Sequence, residues 1–370
     1  MALDIIVILN IIITSLYGIF LVLFAYQTKV KGRSAPYLLL LLFFGVVGGF
    51  LAIVDSSGIL PSFGPYNRIY LILELVCYGL QFFFFYLFIE DISSLKPRLS
   101  GLMIMLSLLI LQNTALWSIV WFSAVAPDAA DYMWLLADIG YDNLPIVAFL
   151  FFGLPTYYRI YRYTEEKKAL GFILSMILAS TGFIIISLID YTGFFGVKPV
   201  LLDNISLLGE IFPLLGLLIF LLTYLIDVDY IYRLPSDHFL LMVTYRSGVP
   251  IHFTTFETKK EVEIEENLFS GFISSIGMVF DQILQSRAPI QSISSEEATI
   301  VIRSGKNIMA IILTKRPTAI LERAMDKYID KFEKKYREPL KNEIVEINAF
   351  EGAKELVKPI FPFFRIKKQS

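Results

Sequence analysis

Two glutamates lie inside long apolar stretches, and they are the residues whose setting best suits ligand binding. Glu74 lies within RIYLILELVCYGLQFFFFYLF, and Glu210 lies within DNISLLGEIFPLLG. A carboxylate in hydrocarbon is costly, so such a residue usually faces a bundle interior and marks a functional site. We expect Glu74 and Glu210 to bind a cationic or hydrogen-bonding ligand, or to act in a proton-linked switch. The alternative is that they are protonated, or bonded to neighbouring helices, and only stabilise the bundle.

Other polar residues stand at helical spacing from these glutamates or in a neighbouring apolar stretch. Residues three, four and seven positions apart share one face of a helix. The further candidate ligand-binding residues are Tyr70, Tyr78, Gln81, Asn10 and Asp203. Pro213 lacks a backbone donor and leaves the carbonyl of Gly209 free beside Glu210. Both glutamates fall in the same half of their apolar stretches, so the sequence allows a shared polar cavity.

Several kinds of site are not expected. The single cysteine, Cys77, excludes an intrachain disulfide and a cysteine-rich zinc site. The two histidines, His238 and His252, follow the apolar region and do not form a metal-binding pair. The chain has no P-loop, no glycine-rich kinase loop and no Gly-x-Ser-x-Gly motif, and its last two apolar stretches lack a lysine for a retinal Schiff base. We therefore expect no enzymatic activity, catalytic residue, metal, cofactor or nucleic-acid partner.

The elements that carry these residues are long apolar segments. Of all residues 56% are hydrophobic and 18% are charged, and the apolar runs are concentrated in residues 1–226. A membrane-spanning helix needs about 20 apolar residues. Seven spans are predicted, at residues 4–27, 36–56, 67–90, 100–123, 143–161, 169–190 and 203–226. Pro145 and Pro155 interrupt the fifth, and DAADYMWLLADIGYDN before it could form a short interfacial helix.

Lysine and arginine are concentrated in the loops after the first, third and fifth spans, whereas the opposite loops are acidic. Because basic loops stay in the cytoplasm, this bias predicts an outside N-terminus and a cytoplasmic C-terminal domain in the cell membrane. Residues 227–236 are predicted to be a helical linker, in which the last span continues to Arg233. The tail, 361–370, mixes aromatic and basic residues, which suits either an anionic membrane surface or a disordered end behind a packed helix.

The pattern from residue 237 onward predicts a β-β-α-β-β-β-α order, with strands HFLLMVTY, IHFTTFET, PIQSISSE, ATIVIRS and KNIMAIILTK. The hairpin SGVP, the helix start FSGFISSI and the helical segment FEKKY, at Phe332 to Tyr336, accompany it. At these places residues 237–360 resemble the longin and roadblock (profilin-like) domains. The resemblance implies an α/β (α+β) domain with a five-stranded antiparallel sheet flanked by helices. It also implies non-enzymatic work: binding a small GTPase, forming a homodimer, or joining trafficking and signalling assemblies.

The expected fold class is an all-α seven-helix transmembrane bundle, residues 1–226, followed by this longin-like domain. The bundle resembles, in topology alone, the seven-helix sensor regions that precede bacterial and archaeal kinase modules. The expected function is a receptor or sensor that couples an external or membrane signal to a small GTPase or other cytosolic protein. Two alternatives stay open, a membrane anchor or scaffold for the longin-like domain and a transporter with a regulatory cytosolic domain. The lipid bilayer is an expected partner in each case.

Overall fold

A computed structural model describes residues 2–31, 35–57, 68–196, 200–228, 230–234, 238–257, 265, 268–273, 275–276, 290–341, 347–362 and 364. The chain divides into two compact units. The first comprises the described residues up to 228, except 30–31 and 91–96. The second comprises those two short segments and the described residues from 230 onward.

The first unit is a bundle of long helices. They are α1 (Ala2–Lys31), α2 (Pro36–Ser57), α3 (Ile69–Ser93), α4 (Leu99–Val125), α5 (Pro127–Ile146), α6 (Leu154–Thr164), α7 (Lys168–Phe194) and α8 (Val200–Ile226). A π-helical segment, Val147–Gly153, joins α5 to α6, so these three form one continuous span. Among the described residues seven spans are long and apolar enough to cross a membrane, which makes the chain a multi-pass membrane protein.

The fifth span differs from its sequence prediction. It was expected to begin near residue 143, but the helix begins at Pro127 and its membrane-crossing part at Ala129. Pro145 lies inside α5 and is followed at once by the π-helical segment. A proline removes one helical hydrogen bond, and local π-helical adjustments are one way in which membrane helices continue past such a residue. The segment DAADYMWLLADIGYDN is therefore part of this span instead of a separate interfacial helix.

Glycines allow neighbouring helices of the bundle to approach closely. An added Cβ at Gly140 of α5 would lie 2.7 Å from the backbone nitrogen of Gln112 on α4. An added Cβ at Gly182 of α7 would lie 2.3 Å from Cδ of Pro213 on α8. Small residues at helix contacts are the usual means of association in a membrane, where lipid removes the hydrophobic driving force.

The helix α8 ends at Ile226, and a single 3-10 turn, Tyr230–Tyr232, follows. The structure thus differs from the continuous helix predicted to Arg233. Asp227 directly follows α8, and its carboxylate accepts a hydrogen bond from the Lys168 ammonium group at 2.6 Å. A negative charge at a helix C-terminus opposes the helix dipole, and the Lys168 cation offsets this effect here.

The second unit contains a five-stranded antiparallel sheet with the order β2-β1-β5-β4-β3. Its strands are β1 (His238–Tyr245), β2 (Pro250–Thr255), β3 (Ser292–Ser294), β4 (Thr299–Ser304) and β5 (Ile308–Thr314). Helical residues 268–273 (α9) lie between β2 and β3, and α10 (Ala319–Lys335) and α11 (Lys354–Ile360) follow β5. The strands fall at the predicted positions, and the order of strands and helices agrees with the sequence pattern.

Both faces of this sheet are covered. Leu240 and Met242 of β1 pack in a cluster with Ile273 of α9, while the alternating residues Leu241 and Val243 are also fully buried. A strand that is buried on both faces reads as a continuous apolar run, as FLLMV does. Helix α10 contacts β4 and β5.

Two further contacts of the second unit concern its short segment 91–96. Arg323 of α10 forms an ion pair with Asp91, and the backbone nitrogen of Ala319 donates to the Ser94 carbonyl at 3.2 Å. Since α3 runs to Ser93, its last residues belong to the second unit.

The aromatic part of the predicted tail is packed inside this unit. Phe361 is buried, and its ring stacks on that of Phe364, which also lies 4.2 Å from the ring of Phe256. The basic residues of the tail lie outside the described part of the chain. These two phenylalanines are therefore part of a packed core, and neither interpretation given for the tail included this packing.

Candidate functional site

Six carboxyl groups gather at one end of the bundle, where α2 and α7 finish and α3 and α8 begin. They belong to Asp55 of α2, Glu74 of α3, Asp138 and Asp142 of α5, Asp190 of α7 and Glu210 of α8. We call this set the acidic cluster. It draws on five different helices, so it is a product of the tertiary fold and not of one local sequence motif.

The two glutamates singled out by the sequence lie close together in this cluster. The carboxyl of Glu74 interacts electrostatically with those of Glu210 and Asp55. Glu74 is partly buried, and among the described residues it has no hydrogen bond or ion pair. Glu210 is exposed at the bundle surface. A shared site for the two glutamates is thus compatible with the structure.

The carboxyl of Asp190 interacts electrostatically with that of Glu210, and also with those of Asp138 and Asp142. Asp142 is the most deeply placed member of the cluster, with 1% of its surface exposed. One side of its carboxyl is hydrogen-bonded by Ser187, but its Oδ2 atom has no hydrogen-bond partner among the described residues. A buried carboxylate oxygen without a donor is unfavourable, so this atom points to a partner that the described residues do not supply.

Basic side chains are scarce near the cluster. Arg68 interacts with Asp55, and its guanidinium also lies over the Trp134 ring at 5.3 Å from the centroid. In the described part of the chain, no lysine or arginine pairs with the other five carboxyl groups. Neighbouring carboxyl groups without a counter-charge repel one another when they are ionised, and either protonation or a bound cation would remove that repulsion.

Several tyrosines lie close to the carboxyl groups of the acidic cluster. Tyr78 and Tyr141 both interact electrostatically with Glu74 and Glu210, and Tyr141 also interacts with Asp142. Tyr191 accepts a hydrogen bond from the amide of Asn143 at 3.2 Å. Aromatic rings next to carboxylates are the environment in which proteins bind ammonium groups, because the ring faces attract cations.

The cluster is not arranged as a metal site. Among the described residues, no group of three or more His, Cys, Asp or Glu side chains is placed to hold a metal ion. Its carboxyl groups are instead strung along several helices. This spacing favours an organic cation with several charged groups over a single metal ion.

The other predicted ligand-binding residues lie in different surroundings. Asn10 donates to Ser56 on α2 at 3.4 Å, next in sequence to Asp55. Tyr70 is partly buried in the first turn of α3. Asp203 belongs to α8, but its side chain lies outside the described part of the structure. Of the predicted residues, Tyr78 therefore lies beside the acidic cluster, where it interacts with Glu74 and Glu210. The roles of Asn10, Tyr70 and Asp203 stay predictions.

Gln81 lies one turn further along α3 than Tyr78 and contacts a separate cavity. Its Nε2 atom donates to the phenolic oxygen of Tyr17 on α1 at 2.5 Å, and 4% of its surface is exposed. The cavity beside this pair has a volume of about 100 Å³. Its walls are otherwise almost wholly apolar.

The residues missed by the sequence analysis are Asp138, Asp142 and Tyr141, which had been assigned to an outer loop. A signal was present, because Asp138 and Asp142 are four residues apart and so share one helix face. It was missed because the fifth span was predicted to begin near residue 143, after both aspartates. Asp190, the last residue of the sixth predicted span, was likewise not among the candidate residues.

Comparisons with protein-family models, with curated proteins and with solved structures found no match for this chain.

Proposed function

We propose that this protein is a membrane receptor that binds an organic ammonium cation, such as a polyamine, at the acidic cluster. The change in the helix bundle would be passed to the C-terminal unit, which would bind a cytosolic protein. The observation that carries the proposal is the buried Asp142 carboxyl, whose Oδ2 atom has no partner in the described part of the chain. It lies in a set of six carboxyl groups with little compensating positive charge among those residues.

A polyamine fits this cluster for two reasons. It carries several ammonium groups along a flexible chain, and the carboxyl groups are likewise spread over several helices instead of converging on one point. Charge-assisted hydrogen bonds to carboxylates are among the stronger polar contacts, and neighbouring tyrosine rings add cation–π attraction. The exposed Asp190 and Glu210 would meet the cation first, and Asp142 would hold its most deeply inserted ammonium group.

The proposed orientation places the acidic cluster outside the cell. Basic residues occur at the opposite ends of the helices, at Lys29, Arg98, Arg162 and Lys168. Since basic flanks are retained in the cytoplasm, the N-terminus and the cluster would face outward and the C-terminal unit inward.

The proposed role of the C-terminal unit is that of a longin-like domain that binds a small GTPase. Its support is the resemblance at three sequence segments together with the five-stranded antiparallel sheet and its helices. Helix α3 would carry the signal, because Glu74 and Tyr78 lie in it and its last residues belong to the second unit, where Asp91 pairs with Arg323. A ligand that favours one of two positions of α3 would shift the population of states of that unit.

A cation transporter is the second candidate, and the irregular helices favour it. Pro213 lies inside α8, and the π-helical segment interrupts the fifth span. Broken helices next to intramembrane carboxylates are also typical of transporters. A scaffold, in which the bundle only anchors the C-terminal unit, requires no ligand at all.

The test is spermidine binding by the full chain in lipid nanodiscs, followed through tryptophan fluorescence, because Trp134 lies beside Arg68 at the cluster. Asp142→Asn should weaken binding about tenfold or more, since it removes a buried charged acceptor worth about 1.5–3 kcal/mol. Asp131→Asn is the matched control, because Asp131 is an exposed residue of the same helix, α5, that is not in the cluster. The proposal fails if spermidine does not bind, or if the two variants bind it equally well.

Two further measurements separate the candidates once binding is found. A receptor should show spermidine-dependent changes in hydrogen exchange in the second unit and no uptake of spermidine into liposomes. A transporter should show uptake that Asp142→Asn abolishes. A scaffold should show neither effect.

A further inference from the structure

The cavity beside Gln81 is separate from the acidic cluster. It lies within the first unit, between α1, α2, α3, α7, α8 and the π-helical segment. None of the six carboxyl groups lines it, and its lining contains no charged side chain from the residues that the structure describes. Its occupant must therefore be neutral, which sets it apart from the proposed cation.

The walls of the cavity are aromatic and aliphatic. Phe20 and Phe220 close one part, with ring centroids 5.8 Å apart, and Phe82 packs edge-to-face on Phe183 at 5.2 Å. The volume of about 100 Å³ exceeds the roughly 10–15 Å³ that one water molecule requires. Apolar cavities of this kind stay dry and accept apolar molecules, so water does not fill it well.

One polar group in the cavity is incompletely paired. Gln81 donates from Nε2 to Tyr17, while its Oε1 atom is buried and has no hydrogen-bond partner in the described structure. Exchanging the two ends of the amide would leave its NH2 group with an unused donor instead. Ser175, which also lines the cavity, already donates to the Phe172 carbonyl at 2.7 Å. Gln81 is thus the group that would orient a ligand.

Two irregular helical segments contribute to the walls. Phe149 comes from the π-helical segment, and Pro213 lies where α8 lacks one backbone hydrogen bond. Irregular backbone at membrane depth is tolerated where it lines a cavity, and π-helical insertions are frequent at functional sites. Both features are therefore consistent with a cavity that is retained for binding instead of being filled by packing.

We propose that this cavity binds a small neutral molecule that is apolar except for one hydroxyl group, which hydrogen-bonds to the amide of Gln81. A hydroxyl group both donates and accepts, so it matches the unpaired end of the amide in either orientation. The remaining surface of the ligand would be buried against the phenylalanine side chains.

The experiment uses the full chain in lipid nanodiscs and a diazirine derivative of benzyl alcohol as photolabel. Adducts are expected on cavity residues of more than one helix, such as Met176 and Phe220. Benzyl alcohol should compete better than toluene by about fivefold after correction for partition into lipid, which corresponds to one hydrogen bond of about 1 kcal/mol.

Two kinds of variant test the site. Ala179→Leu should fill the cavity and abolish these adducts, and Leu217→Phe does the same from another helix if the first variant does not fold. Gln81→Met should keep the labelling but remove the preference for the alcohol over toluene. Adducts that persist in both filled variants, or a preference that persists in Gln81→Met, would overturn the proposal. Spermidine binding should survive Ala179→Leu, so the two proposals succeed or fail separately.

Discussion

The amide of Gln81 on α3 donates to the phenolic oxygen of Tyr17 on α1 at 2.5 Å, and this bond joins two helices that are far apart in sequence. It also lies where glycine allows close approach, since a Cβ at Gly45 of α2 would be 3.0 Å from the Tyr17 ring. Three helices therefore meet at one polar contact inside an apolar region. A polar contact of this kind fixes which faces of the helices meet, because the alternative is an unpaired polar group in hydrocarbon.

Tyr17→Phe should destabilise the bundle by about 1 kcal/mol, because it leaves the Gln81 amide buried without its partner. The double variant Tyr17→Phe/Gln81→Met should recover most of that loss, since both polar groups are then gone. Unfolding in mixed micelles with increasing SDS would give the four free energies of this double-mutant cycle. Additive losses from the two single changes would show that the bond contributes nothing.

Gly140→Ala should lower the free energy of unfolding of the bundle. The new methyl group would meet the backbone nitrogen of Gln112 at 2.7 Å, and a backbone atom cannot rotate away. Over-packing of this kind costs about 1–3 kcal/mol, so α4 and α5 should separate and the unfolding free energy should fall. The same SDS titration measures the effect.

Gly18→Ala on α1 is the matched control for that change. No atom lies within 4 Å of the position where its Cβ would stand. Because alanine is a better helix former by about 0.8–1 kcal/mol, this variant should be neutral or more stable than the parent. Equal losses for Gly18→Ala and Gly140→Ala would mean that the close α4–α5 contact is not important for stability.

Hydropathy predicted most of the helices, because each apolar run is a local property of the chain. The strands of the sheet could be predicted equally well, since β1 and β5 are continuous apolar runs between turn residues. The fifth span was the exception: it was predicted to begin near residue 143, whereas α5 begins at Pro127 and the π-helical segment continues it past Pro145. That error moved Asp138 and Asp142 out of the membrane region.

The neighbours of a residue were harder to predict than its helix. The spacing around Glu74 indicated which residues share its own face, but not that Asp190 of α7 would lie near Asp142 of α5. That proximity depends on how α5 packs against α7, and the spacing of residues within one helix cannot predict it. The cavity beside Gln81 likewise requires side chains from five helices and the π-helical segment, so it appears only once the bundle is assembled.

His252 should make the second unit less stable as the pH falls below about 6.5. Burial, and to a smaller extent the nearby Lys354 ammonium group, lower the pKa of His252 to about 4. Its Nε2 atom lies 2.8 Å from the hydroxyl of Thr254. In the unfolded chain its pKa is about 6.5, so between these values the unfolded state binds the proton more tightly. Stability is therefore lost as the pH falls from 6.5 to 4, by about 1.4 kcal/mol at most per pH unit.

Hydrogen exchange of the β1 and β2 amides, corrected for intrinsic rates, would follow this loss in the full protein. His252→Gln should flatten the profile across that window. His238→Gln replaces the other histidine of the chain and serves as the control, because the loss is expected to remain in it. A profile that stays steep in His252→Gln would assign the effect to other groups.

Glu90→Gln should destabilise the first unit by about 2 kcal/mol. A hydrogen bond to a charged group contributes about 1.5–3 kcal/mol, and this change removes the charge. The Glu90 carboxylate is fully buried and accepts from the backbone nitrogen of Arg98 at 3.1 Å and from its guanidinium at 3.0 and 2.9 Å. It thereby links the C-terminal end of α3 to the start of α4.

Glu355→Gln is the comparison, because the Glu355 side chain is 82% exposed and lies 3.6 Å from Lys335. An exposed pair contributes at most about 0.5–1 kcal/mol, so thermal unfolding should barely change, and similar shifts for the two variants would refute the structural role of Glu90.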